Sequence, residues 1–129
     1  MDAAVIRFNT ALFDVSKERP NPINPIHGES LLQWLAAKLS GRLSLTSPDT
    51  EDWGWYSTVE WNGRSYMLGS SASEEEADGV REWILQIVKH RSAKERLLGQ
   101  EKMTADDGCA RLVLEVLRSE PAFLGITLE

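Results

Sequence analysis

The residue types that most often carry chemistry are scarce in this chain. Its 129 residues include one cysteine, Cys109, and two histidines, His27 and His90. A single thiol excludes an intramolecular disulfide and any cysteine-based metal cage, and it fits a reducing compartment. No H-x-x-x-H, C-x-x-C or D-x-D-x-D spacing occurs, so no dedicated metal site is expected. Gly54, Gly63, Gly69 and Gly79 match neither G-x-G-x-x-G nor G-x-x-x-x-G-K-[ST], which excludes a standard phosphate-cradling loop. Charged and polar residues break every apolar run well short of the ~18 residues a membrane span needs. Met1 to Phe8 also lacks the basic and apolar regions of a signal peptide, so a cytoplasmic protein without a membrane segment is expected. Basic charge is short as well: fourteen Lys and Arg against twenty Asp and Glu give a net charge of −6. That balance opposes phosphate backbones, makes nucleic acid an unfavourable partner, and permits a basic protein.

Against these shortages stands a local excess of aromatics. Trp53, Trp55 and Trp61 fall within nine residues that run into Asn62-Gly63, and Ser65 to Leu68 follows. An Asn-Gly pair between two such runs predicts a β-hairpin with a type I′ turn, because that turn needs φ > 0 at both central residues. The register then sets Trp61 opposite Arg64, Val59 opposite Tyr66, and Ser57 opposite Leu68. Trp55, Val59, Trp61, Tyr66 and Leu68 share one side, and Gly54, Tyr56, Thr58, Glu60, Ser65 and Met67 share the other, mixed one.

Alternation predicts further strands over Val5–Ser16, Arg81–His90 and Phe123–Leu128. Apolar residues at helical spacing predict one helix over Glu29–Leu43, capped by Gly28 or Ser30. A second is predicted after Thr104-Ala105-Asp106-Asp107, on the stripe Cys109, Leu112, Val113, Val116 and Leu117. A shorter helical stretch is expected over Ser92–Leu98. Leu45 to Asp52 reads as a polar turn, and Ser70 to Gly79 as an acidic loop. The whole chain, residues 1–129, is thus expected to be a single domain, with about five strands ordered strand, helix, hairpin, strand, helix, strand. It is an α+β two-layer sandwich, a mostly antiparallel sheet with two main helices on one face. Leu31, Leu35, Val59, Trp61, Leu85, Ile87, Leu112, Val116 and Ile126 are its expected buried core.

Candidate chemistry is sparse. His27 lies near Glu29 and Ser30, but adjacent residues rarely assemble a catalytic triad and no nucleophile-elbow pattern is present. His90 extends a basic edge with Lys89 and Arg91, and Cys109 belongs to an apolar stripe. No catalytic residue, no cofactor and no metal ligand is assigned on this basis, and enzymatic activity of the common kinds is not expected. Acids cluster at Asp49, Glu51 and Asp52 and again from Glu74 to Asp78. The first run adjoins Trp53 and Tyr56, and aromatics anchor interfaces while acids steer association. Pro20, Pro22 and Pro25 stiffen a loop carrying Asn21 and Asn24. Such a loop either preorganises a binding edge or serves as a fixed connector.

The expected function is a small cytoplasmic, non-enzymatic protein-interaction module with an acidic surface. Its partner-binding residues would be Asp49, Glu51, Asp52, Trp53, Tyr56, Asn21 and Asn24. One alternative is a small-molecule-binding domain whose aromatic pocket is lined by Trp53, Trp55 and Tyr56. A concrete form of the first is an immunity-protein or antitoxin-like inhibitor that blocks a basic nuclease.

Overall fold

The computed structural model of the chain describes residues 3–129. Strand β1 (Ala4–Thr10) leads through a loop with a 3-10 turn at Val15–Lys17 into helix α1 (Glu29–Leu39). Four strands follow: β2 (Asp49–Glu51), β3 (Gly54–Trp61), β4 (Arg64–Ala72) and β5 (Arg81–Lys89). The short helix α2 (Ala93–Leu97), helix α3 (Gly108–Arg118) and strand β6 (Leu124–Leu128) complete the chain. The strands form one antiparallel sheet in the order β2-β3-β4-β5-β1-β6. This is an α+β fold with six strands rather than about five.

The additional strand is β2, in the segment the polar sequence suggested was a turn. Its carboxylates stay exposed at the sheet edge, so a polar strand incurs no burial cost there, and Glu51 pairs with Gly54 across a tight turn at Asp52-Trp53. The Asn-Gly hairpin has the expected register, with Trp61 opposite Arg64 and Val59 opposite Tyr66. Asn62 and Gly63 both take positive φ, 51° and 74°.

β1 stops at Thr10 instead of continuing to Ser16. The Thr10 hydroxyl donates to the Ala122 carbonyl at 2.8 Å and accepts from the Leu12 N–H at 3.0 Å, turning the chain off the sheet. Leu12 is consequently 44% exposed. Asp107, not Thr104, caps α3, accepting from the N–H groups of Cys109 and Ala110.

Helix α1 lies on β3 and β4, and α3 beside it reaches β6. Their apolar faces and the inward residues Ile6, Phe8, Trp55, Leu68, Trp83, Leu85 and Ile87 form the core. Truncating one of these large side chains to Ala costs about 2–5 kcal/mol. Of the expected core, Trp61, Leu112 and Ile126 are only half-buried. Trp61 ends β3 and lays its ring over Gly108, where a Cβ would come within 2.2 Å of it. Leu112 sits at the margin of the α3 stripe, and Ile126 is on an edge strand.

Among the described residues no helical layer covers the opposite face of the sheet, and its Val5, Tyr56, Thr58, Met67, Ile84 and Val88 are half-exposed. Among the described residues no helix is long and apolar enough to cross a membrane.

Candidate interaction surface

The proline loop folds back onto the β2–β3 turn and is stitched to it by amides. Asn21 donates to the carbonyls of Glu51 and Gly54, both at 3.0 Å, while its own carbonyl accepts from the N–H groups of Ile23 and Asn24. Its amide is therefore consumed inside the fold. Asn24 is exposed and donates to the Asp52 carbonyl at 2.8 Å. The Trp55 indole N–H reaches the Ile26 carbonyl at 3.1 Å, and the Arg19 guanidinium lies 5.4 Å from the Trp55 ring centre. The loop is thus a fixed connector that also sets the shape of the acidic turn.

On that scaffold Asp49, Glu51 and Asp52 are exposed, with Trp53 and Tyr56 half-buried beside them. The tip of the Trp53 ring reaches Gly69, where a Cβ would come within 2.6 Å of it. Tyr56 pairs with Gly69 on the same outward face. Trp55 points the other way into the core, only 2% exposed. The sheet therefore separates Trp55 from the other two aromatics, and none of the three lines a principal cavity. A concavity of about 540 Å³ is an open groove between Arg42–Thr46 and the β3 edge at Thr58–Glu60.

A buried polar cluster forms where α1 begins. Glu18 accepts from the N–H groups of Gly28 (3.0 Å) and Ser30 (2.8 Å) and from the Ser30 hydroxyl (2.6 Å). The His27 Nδ1 stands 3.3 Å from the same carboxylate. Glu29, also buried, accepts from the Arg19 backbone N–H at 2.9 Å and from the Arg19 guanidinium. Serine, histidine and acid do converge here, yet the serine hydroxyl donates to the acid instead of to an imidazole. A nucleophile needs the reverse, a base that accepts its proton. Glu18 acts as the side-chain cap that Gly28 cannot supply, satisfying N–H groups a helix start leaves orphaned. Sequence reasoning missed it because the cap comes from ten and twelve residues upstream.

A second network occupies the far end of the sheet. Arg64 grips Glu95 through two hydrogen bonds of 3.0 and 2.8 Å, and Lys89 meets Glu101 at 2.8 Å. The Tyr66 hydroxyl donates to Asp107 at 2.8 Å. The Arg64 contact, helped by the Ser92 N–H, holds the Glu95 carboxyl down near 2. Burial, then the Asp107 contact, raises the Tyr66 phenol. Arg64, Tyr66, Lys89 and Glu101 border a concavity of about 260 Å³. Each charge there has its counter-charge within the chain, which makes the network a clamp for α2 and the 99–107 segment.

Cys109 is buried at the start of α3, and its thiol is pushed up to about 12, first by burial and then by the Asp107 carboxylate. Thiol reagents are therefore expected to leave native Cys109 unmodified while reacting fully once denaturant unfolds the chain. A raised acid favours its neutral form when folded. Its contribution is intact below the unfolded thiol's value near 9 and is lost as pH climbs towards 12. Stability should fall more steeply above pH 9 in the native sequence than in Cys109→Ala, as read by denaturation midpoints; equal slopes would contradict this.

Comparison with protein-family models, with curated proteins and with solved structures found no match.

Proposed function

We propose that this protein is a small, non-enzymatic interaction module that receives a basic protein partner on the surface around Asp49, Glu51, Asp52, Trp53 and Tyr56. One observation carries this reading: exposed acids and half-buried aromatics stand together on a turn braced by the Asn21 and Asn24 amides. Aromatics at the centre and charge at the rim are how protein interfaces divide anchoring from steering. Asn21 serves as scaffold and Asn24 as a margin of the patch. A small-molecule site is less well supported, since Trp55 faces away from Trp53 and Tyr56. We place the module in the cytoplasm, on the grounds of its single, buried, unpaired cysteine. An inhibitor that covers the basic surface of a nuclease is one concrete form of the proposal.

The test is a pull-down from the native host with the wild-type chain and with Asp49→Lys, Glu51→Lys and Asp52→Lys combined. Loss of the captured partner from the charge-reversed chain is expected, with its unfolding midpoint little changed because all three residues are exposed. Retention of every partner would overturn the reading.

A further inference from the structure

The outward face of the sheet is wider than the acidic patch and has a charge pattern of its own. Strand alternation places Trp53, Tyr56, Met67, Ile84, Val88 and Val5 across its middle, each half-buried. Along one flank stand Asp49, Glu51 and Glu60 of β2 and β3, all exposed. Beyond β1 on the other side stands Glu129, and Glu82 closes one end of the face on β5, both exposed. Arg7 lies between these acids, 3.7 Å from Glu82 and 3.8 Å from Glu129, and Arg91 and Arg96 border the face beside Val88. The face is a mostly apolar strip, with Gln86 at its centre between Gly69 and Val5, bordered by acids.

We infer that this strip is the seat of a cationic amphipathic helix from another protein, which would complete a third layer over the sheet. The inference extends the proposed interaction function and rests on it. Charge decides against a second copy, because two such faces laid together would set Asp49, Glu51 and Glu60 against their like across a desolvating interface, while Arg7 faces Glu82 and Glu129 within its own chain. The same acids repel anionic lipid and nucleic acid. Four strands at ~4.8 Å spacing give a bed slightly wider than a helix of ~10–12 Å diameter, so basic side chains on both flanks would reach the bordering acids. A concavity of about 180 Å³ bounded by Thr58, Met67 and Val88 opens onto the strip and accepts one aliphatic side chain. His90 and Arg96 border its far end. They suit a helix C-terminus, whose carbonyls carry partial negative charge, and orient the guest with its N-terminus towards Glu51 and Asp52.

The probe is a synthetic amphipathic helix of Leu and Lys, about 18 residues long, beside its Leu/Glu counterpart, titrated at low salt into the isotope-labelled full chain and followed by amide NMR. The Lys peptide is expected to bind at least about tenfold tighter, with shifts confined to β3, β4, β5 and β1. Met67→Ser combined with Ile84→Ser should weaken it about tenfold by removing two apolar anchors without altering charge. Unfolding curves of the double variant confirm that it is folded. Equal binding of both peptides, shifts on α1 and α3, or an unaffected double variant would each overturn the inference, the last by exposing a purely electrostatic encounter. If charge reversal at 49, 51 and 52 abolishes partner capture while the double variant retains both partner and peptide, the interaction function stands and the helix seat falls. If capture survives charge reversal but the peptide behaves as described, the acidic patch falls instead.

Discussion

Glu18→Ala should be among the most damaging single substitutions, lowering stability by about 3–5 kcal/mol. It would strand the Gly28 and Ser30 N–H groups and the Ser30 hydroxyl around the space left by a carboxylate that is itself only 1% exposed. A domain of this size has about 5–15 kcal/mol in total, so the variant should unfold at a much lower denaturant concentration, its midpoint falling by a third or more. Glu18→Gln keeps the shape but turns a donor towards donors, and should fall between the two. If Glu18→Ala unfolds within ~0.5 kcal/mol of the native chain, the cap assigned to Glu18 is wrong.

Gly28→Ala is expected to cost about 3 kcal/mol or more, for a different reason. Its φ of 170° is ordinary extended backbone, so no conformational strain is involved. A Cβ there would lie 2.3 Å from the Ser70 carbonyl oxygen and 2.8 Å from its carbon. Neither atom can retreat, because the Ser70 hydroxyl donates to the Gly28 carbonyl and the Ala72 N–H to the His27 carbonyl, each at 2.8 Å. Gly69→Ala offers the comparison. The new methyl meets the tip of the Trp53 indole, a side chain that can swing away, so its cost should be clearly smaller. Denaturation midpoints of the two variants would test this, and equal losses would contradict it.

Much of the fold was legible because periodicity and turn chemistry are local. Asn62-Gly63 set the hairpin register, and the Trp83, Leu85, Ile87 alternation marked a central strand. The sheet edge was not legible: Asp49 and Glu51 are poor strand formers around a single Thr50, and the segment pairs because the 52–53 turn returns Gly54 beside it. The surface was legible in part. Composition pointed to the acids and to the neighbouring aromatics, but not to which face each aromatic takes or to the use of Asn21 as internal bracing. The Glu18 cap and the Arg64–Glu95 and Tyr66–Asp107 contacts join residues 10 to 41 apart in sequence. No rule of spacing finds such pairs, since only the folded sheet brings them together.

The two ends of the sheet also govern how the protein behaves in a crowd. β2 offers three residues, two of them exposed carboxylates, and β6 offers five, with a register shift against β1 and Gly125 at a φ of 64°. Short, charged or kinked margins are poor templates for another strand. Copies of this chain should therefore resist zipping side by side into longer sheets, even at high concentration and with an apolar strip exposed.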